Sequence, residues 1–405
     1  MRTRRRLPVR AAGAAIVAMA AWGFAAERLW DASVVPSLRL PRLDPRAYFS
    51  AHALSSGSSF ETFLSVEGIL ADVVLIVVLV AYARRGAGFM RQSAAGPIGT
   101  GMLLGMLGLG IVWIAQLPFG IAGLWWERRH HVSHQGYVTY VIDNFLSLGG
   151  QFLFVSLALL ITIGLARLLK RWWWVAAAPA FVAIYALFAF TTPYLIPELH
   201  DLSDPGLRSD AYTLARREGV AGTRVSVQNV HTFTSAPNAE STGFGPTRRV
   251  ILWDTLLGGR FSRAEVRVVL AHELGHLARE HILKDIAWFA LFAFPAAFVL
   301  ALATRRRGGM GRPEAVPVAL LAIAVLQLAI GPFDNARSRH MEAEADWMAL
   351  QATHDPAAAR TLFERLTTTS HADPNPPTWS YLWDANHPTA MQRIAMVQAW
   401  AGTHR

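Results

Sequence analysis

The sequence predicts a mainly α, multi-pass membrane helical bundle of about seven spans, with a small α+β domain at the membrane surface. Three observations carry this. Of the 405 residues 53% are hydrophobic and only 16% charged, against about 25% charged in a typical soluble chain, and the apolar excess is gathered into runs near bilayer length. The formal charge of +10 is nearly all arginine, and the arginines stand at the ends of those runs, as membrane topology requires, not along a phosphate-binding face. Residues 193–284 break the apolar pattern with strand-like alternation and turns. Nucleic acid is therefore excluded as a partner and a lipid bilayer is expected. There are no cysteines, which removes disulfides, thiolate metal ligands and a cysteine nucleophile.

Residues 1–192 form an N-terminal membrane region of about five spans. Arg2, Arg4, Arg5, Arg6 and Arg10 precede an apolar run from Ala11 to Ala26. Ala18-Met19-Ala20 would suit a signal-peptide cleavage site, but the spans that follow favour an uncleaved anchor. Residues 27–66 read as a mixed loop. Apolar runs follow at 68–83, 97–120, 143–165 and 173–192. Asp72 lies in the first of these and is expected to face protein or water. Gly99, Gly101, Gly105, Gly108 and Gly110 in the next suit close helix packing. Trp172, Trp173 and Trp174, just after Lys170 and Arg171, look like an interfacial belt.

Residues 193–284 read as water-facing. An amphipathic helix is expected from Asp204, ended by Gly219, then strands over Thr223 to Val230 and Arg249 to Trp253. Residues 285–332 hold two further spans around a basic loop. Residues 333–405 form a C-terminal segment that starts with a helix from Asp334 to Thr353. The basic segments 2–10, 84–91, 167–171 and 305–312 all fall on one side of such a bundle, which should be cytoplasmic. The surface domain and the tail then face the extracytoplasmic side.

The chemistry is concentrated in SRAEVRVVLAHELGHLAREH, Ser262 to His281. Ser262 and Glu265 make an S-x-x-E capping box that starts a helix. His272, Glu273 and His276 then read H-E-x-x-H. Residues four apart share a helix face, so both imidazoles can close on one Zn²⁺, with Glu273 beside it to take a proton from bound water. His281, at 100° per residue, points about 180° from His272 and reads as a support, not a ligand.

A structural zinc wants four protein ligands and a hydrolytic one wants three plus water. The third candidate lies in SRHMEAEADWMA, where Glu342 and Asp346 share a face and Glu344 points the other way. Glu342 is assigned to the metal. Asp346 is assigned to orienting a ligand imidazole or sharing in proton transfer. Arg339, three residues before Glu342, is expected to hold one of these carboxylates. In the tail, Asn386-His387-Pro388 offers a histidine that would donate to a developing oxyanion.

These motifs together resemble the integral-membrane zinc metalloproteases of the CAAX prenyl protease type I family, with the heat-shock membrane proteases more distant. HELGHLAREH resembles the first zinc motif, SRHMEAEAD the R-x-x-E-x-x-A-D motif and PNAESTGFGPTRRVILWDTLL the stretch upstream. LPFGIAGLWWERRHH and NHPTAMQRI match further elements, so the likeness runs from about residue 115 to 394. The resemblance implies a zinc metalloendopeptidase with one Zn²⁺ per chain bound by His272, His276 and Glu342. Glu273 would be the general base and Asp346 a proton donor. It further implies a peptide or protein substrate added as a strand near Asn238 and Ala239, with His387 and Arg393 beside it. Glu240-Ser241 replaces the family's aromatic pair, so the substrate edge differs. The family's eukaryotic members work on the cytosolic side, against the arginine count. Two other classes remain open. One is a non-catalytic zinc-binding scaffold, which would have no use for Glu273. The other is a transporter, for which charged mid-membrane positions are too sparse.

Overall fold

The computed structural model describes residues 9–33, 39–90 and 93–404. Arg2, Arg4, Arg5 and Arg6 lie outside them. The N-terminal region is built from α1 (Val9–Asp31), α2 (Ala51–Arg85), α3 (Gly96–Arg129), α4 (Tyr137–Leu169) and α5 (Trp173–Leu195), and α1 is not among the spans that follow. Among the described residues five helical stretches are long and apolar enough to cross a membrane, and one of these, Tyr137–Leu195, comprises both α4 and α5. The protein is an integral membrane protein. The expected loop 27–66 is largely helix: α1 runs on to Asp31 and α2 starts at Ala51, capped by the Ser50 side chain. Its first turns look loop-like in sequence because they pack against the water-facing domain and so carry Ser and His where lipid would demand Leu. In α3, Gly101 and Gly105 sit against Ile163 and Leu159 of α4 so closely that an added Cβ would collide with them.

The water-facing unit begins with β1 (Leu199–Asp201) and α6 (Pro205–Arg217). Asp204 caps α6 and Gly219, at φ 78°, ends its last turn. A four-stranded sheet follows from β2 (Arg224–Gln228), β3 (Ala239–Thr242) and β4 (Arg249–Trp253), in the order β1-β2-β4-β3. β2 and β4 run parallel, β1 antiparallel to β2 and β3 antiparallel to β4. β1 and β3 are too short to show a period in sequence. β3 and β1 are the two edge strands, and β3 has one edge unpaired within the sheet.

α7 (Asp254–Leu257) leads to α8 (Arg263–Ala278), which opens with the Ser262–Glu265 capping box. α8 does not continue to His281. The chain turns at Glu280, φ 55°, and α9 (His281–Thr304) starts there. α10 (Val316–Thr353) is one 38-residue helix, so the expected boundary at 332/333 falls within it. α11 (Pro356–Thr369), α12 (Thr378–Trp383) and α13 (Ala390–Thr403) close the chain.

One apolar core joins α8, the sheet, α11 and α13, with Leu270, Ala271, Leu274 and Ile394 fully enclosed. α8 and α10 cross at Gly275, where a Cβ would stand 3.1 Å from Met348 Cβ and 3.5 Å from Ala345 Cα. A Cβ there would be a tight fit, so glycine lets the two helices approach closely. At the far end Arg307 donates to the Ala83 carbonyl at 3.1 Å and Gly311 lies against Ala166 and Arg167. The basic segments 84–90, 167–171 and 305–312 thus meet at one end of the bundle. The 24-residue α9 separates that end from α8 by about 35 Å.

Candidate metal centre

α8 and α10 bring their polar faces together. His272, His276 and Glu342 form the one group of three metal-ligating side chains found among the described residues. His272 Nε2 and His276 Nε2 are 3.1 Å apart. Glu342 Oε2 is 3.2 Å from His272 Nε2, and Oε1 is 3.4 Å from His276 Nε2. All three side chains are largely buried. Glu342 Oε2 has no hydrogen bond of acceptable geometry, although the His387 Nε2 also lies 3.2 Å away. An orphaned buried carboxylate oxygen facing two inward ring nitrogens is a donor set suited to a cation. Ligand nitrogens about 2.0–2.1 Å from a tetrahedral zinc stand about 3.3 Å apart, close to what is seen. The residues present fit zinc.

Asp346 lies one turn beyond Glu342. Its Oδ1 is 2.9 Å from His272 Nδ1, and Arg393 from α13 grips both its oxygens, with Nε donating to Oδ2 at 2.8 Å. Burial alone would keep His272 neutral. Contact with Asp346 and Glu342 outweighs it and pushes the imidazole up to about 10. The site therefore draws positive charge strongly.

Arg339 does not hold either carboxylate. Its guanidinium donates to the carbonyls of Tyr381 (2.9 Å) and Ala385 and stacks over the Tyr381 ring. The tail passes directly over it, and those carbonyls are nearer partners than a residue one turn on along its own helix. It anchors the loop that carries His387. Arg393 does what the sequence reading gave to Arg339.

A cleft of about 620 Å³ opens in front of the group. Glu273, Asp346, His387 and Arg393 line it, with Asn238 and Ala239 at its rim where β3 begins. Asn238 turns its carbonyl to the Trp253 amide at 3.0 Å, and Ala239 pairs with Leu252. The opposite wall is α2, through Glu61, Leu64, Ser65 and Gly68. Nothing in the sequence marked that membrane helix as a cleft wall. Glu344, set aside in the sequence as facing away, is instead buried and contacts Arg279, His281 and Lys284.

The family model for peptidase family M48 matches residues 202–401, which span every candidate site residue. The uncharacterized metalloprotease YhfN of Bacillus subtilis is 26% identical over 384 residues, covering 90% of each chain. The chain belongs to peptidase family M48. Other relatives of this M48 chain include a protease HtpX homologue of Ralstonia pickettii, 30% identical over 43% of this chain and 59% of its own length. A second, from Kineococcus radiotolerans, is 30% identical over 42% of this chain and 66% of its own. The crystal structure of S. mikatae Ste24p has the same fold, with a TM-score of 0.74 at 17% identity over 94% of this chain and 96% of that one. The protein is thus a membrane metalloprotease by family.

Proposed function

We propose that this M48 chain is a zinc-dependent endopeptidase that cuts extended peptides in the cleft between β3, α2 and the tail. The observation that carries the reading is the convergence of His272, His276 and Glu342 on one point beside Glu273, below an open strand edge. A zinc ion held there would polarise a peptide carbonyl and bring a water molecule near neutral ionisation. Glu273, on the same turn as His272 and facing the cleft, accepts the proton of that water and delivers it to the departing amine. Asp346 fixes the orientation of the His272 ring. The backbone from Asn238 and Ala239 offers strand-type hydrogen bonds to the substrate main chain, so an extended peptide is held whatever its side chains. His387, at the mouth beside Glu342, is placed to donate to the oxyanion, and Arg393 frames the same wall.

The basic ends of the bundle support an extracytoplasmic cleft, since Lys and Arg segments stay in the cytoplasm. A reporter fused after Arg405 that proves cytoplasmic would refute this orientation. Recognition through the main chain asks for no prenyl group, and Glu240 replaces an aromatic at the edge.

The test is peptide cleavage by detergent-purified protein beside Glu273→Gln, with zinc measured on both. Zinc retained in both and cleavage lost only in the variant is the expected result. Equal cleavage would refute the role of Glu273. Zinc without any cleavage by the wild type would point to the scaffold class.

A further inference from the structure

The buried groups behind His276 are not used by the chemistry above, and their hydrogen bonds can be oriented from end to end. We propose that His281 and Glu344 form a relay that fixes the tautomer of His276, making them positioning residues for the metal. The proposal rests on the zinc reading of this site.

The Nε2 of His276 faces His272 Nε2 and Glu342, so Nε2 is its ligand atom and the ring proton belongs on Nδ1. His276 Nδ1 lies 2.8 Å from His281 Nδ1. Two ring nitrogens at that distance share one proton, so His276 donates and His281 accepts. His281 then carries its own proton on Nε2, which donates to Glu344 Oε2 at 2.9 Å. Glu344 accepts at Oε2, and two cations lie against the carboxylate: Arg279 Nε donates to Oε1, and Lys284 Nζ lies 3.2 Å from Oε2. His281 is 3% exposed and Glu344 1%, so water does not compete for these bonds. Each proton is donated in one direction, from the ligand ring through His281 to the carboxylate.

The turn at Glu280 makes the relay. On an uninterrupted α8, His281 would stand about 140° around the helix from His276 and could not reach it. The left-handed Glu280, φ 55°, redirects the chain so that the first residue of α9 faces back onto the ring. The two imidazoles meet edge to face, at an interplanar angle of 77°.

The full chain, purified in detergent and stripped of zinc, is titrated with zinc against a competing chelator. His281→Leu removes the acceptor. His281→Asn, of nearly the same size, keeps an oxygen where Nδ1 stood. His281→Leu is expected to weaken zinc binding about 10–100-fold and to shift the visible bands of the Co²⁺-loaded protein. His281→Asn should recover most of both. Equal zinc affinity in Leu, Asn and wild type would overturn the relay while leaving the zinc reading intact. A wild type that takes up no zinc would overturn both. Should His281→Leu fail to fold, Glu344→Gln reads the same relay one bond further out, with about a tenfold loss expected and no loss overturning it.

Discussion

The two histidines of the centre stand on one helix, one turn apart, yet they are supported in opposite ways. His272 meets its carboxylate directly: Asp346 lies 2.9 Å from Nδ1 and is itself locked by Arg393. His276 reaches Glu344 only through His281. The first flank is built within the water-facing unit, from α8, α10 and α13. The second is tied into the membrane helices. Lys284 of α9 joins Glu344 to Ser33 Oγ at the end of α1, and His340 bonds the Ser33 carbonyl and stacks on Trp30. A charge in direct contact polarises a ring more than one held a residue away. The first flank should therefore dominate metal affinity, and the second should couple the metal to the bundle.

The largest effect that can break this comparison is Arg393→Met. It leaves Asp346 buried without its main cation and is expected to cost about 3–5 kcal/mol of stability, read as a lower Tm, with zinc affinity falling as well. Next is Asp346→Asn, which keeps the shape and removes the charge. Zinc binding should weaken about 100-fold, the top of the range expected for the His281 flank and about ten times the loss for Glu344→Gln. A smaller effect than Glu344→Gln would reverse the ranking. Chelation of zinc from the wild type should lower Tm by the equivalent of about 4 kcal/mol when zinc was present at 1,000 times its Kd. Variants of either flank should lose correspondingly less. Lys284→Met severs the link to α1 and is expected to cost about 1 kcal/mol; Arg279 still holds Glu344, so zinc affinity should fall less than in Glu344→Gln, by about threefold at most.

A pH-dependent effect sharpens the His272 side. Glu218, at the end of α6, buries both carboxyl oxygens without a hydrogen-bond partner, and burial raises it from 4.5 to about 9 despite attraction to His272. The unfolded chain releases this proton near pH 4.5 and the folded one holds it to about 9. Stability therefore falls as pH rises between those values. Glu218→Gln removes that dependence, so its Tm should exceed that of the wild type by a margin that widens from about pH 5 to 8. A lower Tm across that range would show that Glu218 has a charged role.

Much of this was legible in the chain. His272, Glu273 and His276 are spaced by the helix period, and the capping box at Ser262 fixed where that helix starts. Glu342 and Asp346 share a face by the same period. The strand from Arg249 to Trp253 was read to the residue. The misses have a common cause. Arg339 was judged by neighbours on its own helix, whereas the tail's carbonyls lie closer in space. The first turns of α2 look like a loop because they face the cleft domain. β1 and β3 show no period at three and four residues.

The sequence by itself determined the kind of protein and the atoms of its chemistry. Apolar run lengths, arginine placement and helix-spaced ligands are local properties that each residue carries with it. The tertiary structure alone decided the pairing of supports: which arginine holds Asp346, that His281 turns back onto His276, and that a membrane helix walls the cleft. Those depend on a single left-handed residue at Glu280 and on how closely α8 and α10 approach at Gly275. Distances across helices far apart in the chain are set by packing, which no local period encodes.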